Sequence, residues 1–273
     1  MKLGYQTITW GGVVGQAQGV TSIKDLFYQT YGNTEKAVKE IAEAGYQGIE
    51  IFDGNLREYA DKPEEFKALL KKYNVELVSV YTGANFIYDE ILEDEFHKIS
   101  QAIDLAVTFG ASHLIVGGGA QRASGIRESD YTKLATQLDR VTEFAAAAGL
   151  SACFHPHLST IVEGPEQVAK IMGLTKINFC PDTAHLAAAG GNPAELIRQF
   201  PGRVKHVHLK DFRAQPFAFL PLGEGELDFV EIFNALKEIN YQNWLVVELD
   251  GYDGEPKQAA EISMKFLQNH LNQ

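Results

Sequence analysis

The chain has 273 residues, 45% of them hydrophobic and 22% charged, and a formal net charge of −12 at pH 7. That is ordinary for a globular protein with a sizeable core. An acidic chain with no Lys/Arg cluster argues against nucleic acid as partner, and no run of about 18 apolar residues exists to cross a membrane.

The N-terminus, Met1 to Trp10, is too polar for a signal-peptide core. Cys153 and Cys180 both lie inside apolar runs, where they read as small buried hydrophobes. A reducing, cytoplasmic location is therefore expected.

Eight short apolar runs follow one another along the chain: Leu3–Thr9, Gly48–Phe52, Glu76–Tyr81, His113–Val116, Ala152–His155, Ile177–Cys180, Val204–His208 and Leu245–Leu249. Several are continuous Val/Ile/Leu/Phe stretches, as expected of strands buried on both faces. Helical patterns separate most of them. Thr34–Ala44 carries Ala37, Val38, Ile41 and Ala44 on one face, with Asn33 as N-cap and Gly45 as a stop. Glu93–Phe109 and Tyr131–Ala148 are longer, Asp228 and Glu231 resemble a capping box opening Phe229–Ile239, and Pro256–Leu271 follows. Strict βα alternation predicts a parallel sheet with helical crossovers. At this length eight units favour a single-domain (β/α)8 TIM barrel, since such barrels cluster near ~250 residues. The open doubly wound sheet is disfavoured because neither Gly11-Gly12 nor Gly117-Gly118-Gly119 has the dinucleotide-binding spacing. The irregular stretch Gly11–Asn33, with a helical piece around Ile23–Tyr28, is expected to form a loop over the barrel mouth.

Four consecutive runs deliver a metal-binding residue type at or near their C-terminal ends: His155 with His157, then Asp182, His208 and Glu248. Strand ends in a barrel share one mouth, so these residues converge there. Two carboxylates with imidazoles suit Mn²⁺, Co²⁺, Fe²⁺ or Zn²⁺. Singly, each has a plainer reading. A strand His is commonly a satisfied core residue, Asp182 with His185 reads as a helix N-cap, and Glu248 as a partner of Lys210. Four at four successive strand ends favour the metal.

Over essentially its whole length, and most clearly in its second half, the chain resembles the xylose-isomerase-like sugar isomerase and epimerase superfamily, and within it the inosose-dehydratase-like members. The segments that carry the resemblance are His155-Pro-His157 through Glu163, Asp182-Thr-Ala-His185 through Pro193, His206-Val-His208-Leu-Lys210-Asp211-Phe-Arg213, Leu222 through Asp228-Phe, and Trp244 through Glu248. Gly45-Tyr-Gln-Gly48-Ile-Glu50 and Leu77 through Gly83 fit as well. The resemblance implies that Asp182, His208 and Glu248 bind a divalent metal. Mn²⁺ is expected first, with Co²⁺, Fe²⁺, Zn²⁺ or Mg²⁺ as alternatives. Ketose epimerases of this superfamily place a Glu at the end of the fifth strand, where this chain has His155 and His157. His155 is the preferred fourth ligand, with His157 and Glu163 as alternatives.

That departure bears on the chemistry. Two metal-bound carboxylates can serve both faces of one carbon, as epimerisation requires, and a His breaks the pair. A dehydratase needs a base for the proton α to a carbonyl, a metal for the enolate and an acid for the leaving hydroxyl. The expected catalytic residues are His157 or Glu248 as base, with His185 and Lys210. Trp10, Tyr81, His185 and Lys210 are the expected substrate contacts. Glu50 is expected either to orient a ligand imidazole or to form a buried pair. Arg122 is weighed between a substrate anion and solvent, and Glu224 between the mouth and a turn. The expected activity is a metal-dependent dehydratase acting on a keto-cyclitol (inosose) or keto-sugar. An isomerase or epimerase using the same site is the alternative. A metal-dependent endonuclease is disfavoured by the charge, and a catalytically silent sugar-binding barrel is the remaining reading. A small sugar or cyclitol is the expected partner, with no nucleic acid or membrane, and a homo-oligomer is compatible with the sequence.

Overall fold

The computed structural model describes residues 1–11 and 27–271. Most of the Gly11–Asn33 stretch, including the helical piece expected from Ile23, lies outside the described residues. The eight strands are Lys2–Gln6, Gly48–Phe52, Glu76–Gly83, His113–Gly117, Ser151–His155, Asn178–Phe179, Val207–Leu209 and Trp244–Val247. All pair in parallel, in the order sixth, fifth, fourth, third, second, first, eighth, seventh. The two ends of that sheet meet through parallel bridges, Phe179 with Val204 and Asp182 with His208, so the sheet closes into a ring. The fold is thus the expected α/β TIM barrel.

The helices carry the chain back between strands. Thr34–Glu43 starts on the side chain of Asn33, which accepts from the Lys36 N–H at 2.7 Å, and ends at Gly45, whose φ of +99° favours glycine. Phe229–Glu238 is capped by Asp228, which accepts from the Glu231 N–H at 3.0 Å. Leu92–Thr108, Glu128–Ala147 and Pro256–Leu271 fall within three residues of their expected bounds. Pro63–Tyr73 and Pro165–Leu174 are two further helices, each opening with a proline in its first turn, where the missing N–H costs nothing. Among the described residues no helix is long and apolar enough to cross a membrane.

One large apolar cluster fills the space between strands and helices. A second, of Ile8, Phe52, Tyr81, Ile115, Cys153 and Cys180, packs inside the ring, and both cysteines are free and buried. Below it, a Cβ on Gly48 would meet Val78 Cγ2 at 2.4 Å and the Trp244 ring at 2.8 Å, so the barrel floor admits no side chain there. Between these apolar layers lie the buried polar residues Gln6, Glu50, Ser79, His113 and His206.

After the seventh strand the chain makes an antiparallel hairpin, Asp211–Arg213 with Ala218–Leu220. Asp211 fixes its base. One carboxylate oxygen accepts from the Phe212 and Leu227 N–H groups at 2.8 and 3.2 Å, the other from Gly223 and Gly225, both at 2.9 Å. A Cβ on Gly225 would approach Asp211 Oδ1 to 2.2 Å, which explains the glycine. Replacing Asp211 by Ala orphans these donors in one step. The expected loss is about 2–4 kcal/mol in urea unfolding, and a loss below about 1 kcal/mol would contradict the anchoring role.

Candidate metal centre and active site

Each residue of the centre is delivered by a strand end. His155 is the last residue of the fifth strand. Asp182 follows the sixth and is held beside His208 by their parallel bridge. His208 lies within the seventh strand, and Glu248 directly follows the eighth. One ligand-type atom from each of the four lies within 4.8 Å of the others, and all four residues are buried. His155 Nε2 is 3.6 Å from Asp182 Oδ2 and 3.8 Å from Glu248 Oε2. Glu248 Oε2 also abuts His208 Nδ1.

The donor set fits a divalent cation on an independent observation. His155 Nε2, Asp182 Oδ2, His208 Nδ1 and Glu248 Oε2 are all buried without a hydrogen-bond partner. Buried polar atoms are seldom left so, and four converging on one point match two nitrogen and two oxygen donors of a metal site. Asp182 and His208 have their other ligand-type atoms engaged, whereas His155 Nδ1 has no partner either. Asp182 Oδ1 accepts from the Ala184 and His185 N–H groups at 2.9 and 2.8 Å, so Asp182 caps the helix Thr183–Ala188 while its second oxygen accepts no hydrogen bond. His208 Nε2 faces Glu50 at 3.0 Å, which turns Nδ1 toward the cluster.

A second group, Glu50 with His206 and His208, also brings ligand atoms within 4.8 Å of one another. Its atoms face one another instead. Glu50 lies 3.0 Å from both His206 Nε2 and His208 Nε2 and accepts from the Ser79 hydroxyl at 2.6 Å. That is a paired network supporting the upper cluster, and of the two readings of Glu50 the geometry favours the orienting one.

Lys210 is fully buried against the centre. Its ammonium donates to Asp250 Oδ1 at 3.1 Å, approaches His185 Nε2 at 3.2 Å, and lies 3.3 Å from Asp182 Oδ2 and 3.4 Å from Glu248 Oε1. Burial works against its charge, but Asp182, Asp250 and Glu248 outweigh burial and raise its pKa. Burial likewise opposes the Glu248 charge, yet Lys210 and His208 bring that carboxyl down to about 2. Burial alone would neutralise His208, and Glu50 and Glu248 instead raise it to about 10. His185 is driven well below its usual value by burial, then by His157 and Lys210. It is therefore neutral, and its Nε2 is the atom that faces the Lys210 ammonium.

The other expected residues divide. His157 stands outside the four-atom cluster. The strand ends at His155, and Pro156 breaks the alternation that would have put residues two apart on one side. His157 instead packs on His185, with ring centroids 3.8 Å apart. Its Nδ1 lies 2.7 Å from the Leu158 carbonyl, which assigns the proton to that nitrogen. Burial and the nearby His155 lower its pKa. Glu163 is also outside, accepting from Ser159 N–H at 2.7 Å and Gln121 Nε2 at 3.2 Å, just before the helix that begins at Pro165. Tyr81 packs edge-on to His155 at 5.5 Å, beside Tyr28 and Phe52, and so lines the site. Trp10 is turned elsewhere. Its indole N–H donates to Glu40 at 2.6 Å and its ring packs edge-on to Tyr5, a packing role instead of a wall for substrate. Arg122 is spent on Asp130 and the Ile87 carbonyl, leaving no free charge for an anion. Glu224 is exposed in a turn, its N–H bonded to the Pro221 carbonyl. Two residues of the site were missed. Asp250 lies two places beyond Glu248, a spacing that signals a shared face, and Phe219 is brought to His185 only by the hairpin.

A family model described as xylose isomerase-like TIM barrel matches residues 38–270. The chain belongs to that family. An inosose dehydratase of Clostridium botulinum is 28% identical over 248 residues, covering 79% of this chain and 82% of that protein. Among solved structures, a probable 3-DHS dehydratase of Bacillus anthracis superposes with a TM-score of 0.77 at 18% identity, over 98% of this chain and 99% of that one. A 3-keto-D-glucoside 4-epimerase of E. coli superposes with a TM-score of 0.74 at 20% identity, over 98% and 99%. These two likenesses speak to the fold.

Metal binding at His208 must displace the proton that the negative charges of Glu50 and Glu248 favour there. Since that group titrates at about 10 in the folded chain, metal affinity is expected to rise about tenfold per pH unit between pH 7 and 9, with one proton released per metal. Calorimetry in buffers of different ionisation enthalpy measures both. The same shift stabilises the metal-free protein below the unfolded-state value of about 6.5 and is lost as pH rises toward the folded value. Glu50→Gln is expected to weaken metal binding by about 10–100-fold.

Proposed function

We propose that the protein is a metal-dependent dehydratase acting on an unphosphorylated keto-cyclitol such as an inosose, by removal of the proton α to the ketone and loss of the β-hydroxyl as water. The observation that carries this reading is the asymmetry of the centre. Of the four converging residues only Asp182 and Glu248 are carboxylates, and Asp182 is already committed to capping a helix. Among the described residues the cluster offers two imidazoles and two carboxylates of unlike surroundings, instead of an equivalent carboxylate pair. The inosose-dehydratase relatives support the substrate class.

His155, Asp182, His208 and Glu248 would hold the cation, with Mn²⁺ as first candidate. When bound, it supplies Lewis acidity to the ketone and an adjacent hydroxyl oxygen. The chain's own groups do the rest. His157 is the preferred base: with the Nδ1 proton on Leu158, its Nε2 lone pair is free, and its lowered pKa keeps it neutral near pH 7. Glu248, whose carboxyl is held at about 2, is a weaker base. His157 takes the α-proton as the C–H bond breaks, the electron pair forms the new C=C bond, and the C–O bond to the β-hydroxyl breaks. The imidazolium returns its proton to that departing oxygen, so the products are an enol and water. Lys210 and His185 bind and orient the substrate hydroxyls, and Asp250 holds Lys210 in place. Lys210 is already matched by three carboxylates, which leaves no charge to spare for a phosphate. Free buried cysteines accord with a cytoplasmic setting.

Metal-loaded protein incubated with inososes should give a product lighter by one water that absorbs in the ultraviolet. A mass-conserving product would transfer the site to the isomerase or epimerase reading. His157→Gln is expected to lower kcat by about 10²–10⁴-fold with metal content unchanged, whereas full activity in that variant would remove His157 from the mechanism.

A further inference from the structure

The hairpin after the seventh strand brings an aromatic ring to the metal centre. The Phe219 ring centroid is 4.9 Å from that of His185, with the planes at 76°. The Lys210 ammonium lies over the same ring, 5.0 Å from its centroid. A ring face that meets this ammonium looks into the site, because the ammonium itself lies between Asp182, Glu248 and Asp250. Behind Phe219 stand Phe212 and Phe217, with centroids 6.0 and 5.4 Å away, and the four N–H bonds to Asp211 fix the base of the hairpin. The ring is thus held before any ligand arrives. On the fifth-strand side, Tyr81 packs against His155.

A polar centre beside a fixed aromatic face suits a particular ligand shape. A six-membered ring with all hydroxyls equatorial carries its oxygens around the rim and only C–H bonds on its faces. The electron-rich face of an aromatic ring favours such C–H groups. An axial hydroxyl on that side would lose its water against the ring and gain no hydrogen bond. An open-chain ketose presents no such face.

We propose that Phe219 is a specificity-determining residue, the platform on which the C–H face of an all-equatorial cyclic polyol ketone lies while its rim oxygens reach the centre and Lys210. This inference rests on the keto-cyclitol reading above and narrows it to ring stereochemistry.

The test compares manganese-loaded wild-type protein with Phe219→Ala, Phe219→Leu and Phe219→Tyr. Substrates are the all-equatorial inosose and an epimer with one axial hydroxyl. Wild type should prefer the all-equatorial compound, and Phe219→Ala should erase about tenfold of that preference through KM, with kcat and manganese affinity little changed. Phe219→Leu, which keeps bulk without the aromatic face, should fall between, and Phe219→Tyr should restore the preference. Unchanged discrimination in Phe219→Ala overturns the platform while leaving the dehydratase intact. If wild type turns over neither inosose, the proposed reaction fails separately, and calorimetric binding of the all-equatorial cyclitol decides the platform. Weaker binding by Phe219→Ala then supports it, while equal binding by both proteins, or none by wild type, overturns it.

Discussion

The centre depends on one constraint: four buried ligand atoms with no hydrogen-bond partner are forced together at the mouth of a closed barrel. His155 Nε2, Asp182 Oδ2, His208 Nδ1 and Glu248 Oε2 come from four successive strand ends. Isolating buried polar atoms costs free energy, more so for charged groups. The barrel holds Asp182, His208 and Lys210 in place through hydrogen bonds and ion pairs made by their other atoms. Asp182 has a helix to cap, His208 has Glu50 behind it, and the Thr183 hydroxyl bonds to the backbone of Lys210 from both sides. A divalent cation would relieve the convergence by satisfying all four at once.

Lys210 completes the electrostatics. Its ammonium touches the same two carboxylates that face the cation site, and Asp250 draws it to the other side. A bound metal and the ammonium would share the charge of Asp182 and Glu248, and together they would leave a region suited to neutral, oxygen-rich ligands. The imidazoles of His157 and His185 sit against each other beside it, both kept neutral chiefly by burial. A candidate cation site, an imidazole pair and an aromatic face make up one chemical environment, drawn from residues 155 to 250.

Much of this was legible in the chain. Continuous apolar runs ending in acids and imidazoles announced both the strands and the mouth they share, because a strand buried on both faces has little room for polar residues except at its end. A spacing of two residues would have added Asp250 to Glu248. The same spacing misleads at His157, since the strand stops at His155 and Pro156 redirects the chain. Trp10 illustrates a different limit. Its position after the first strand suggested the mouth, but a 3-10 turn over Thr7–Trp10 swings the indole to Glu40. Phe219 left no periodic signal at all, since only the pairing of Phe212 with Phe219 in a three-residue ladder decides where its ring goes.

The central claim is that one cation is gripped by two imidazole nitrogens and two carboxylate oxygens. Anomalous diffraction from crystals of manganese-loaded protein tests it most directly. The account predicts a single strong peak within about 2.0–2.3 Å of His155, Asp182, His208 and Glu248. A map with no peak among these four residues, or with manganese bound without His155 and His208, would contradict it.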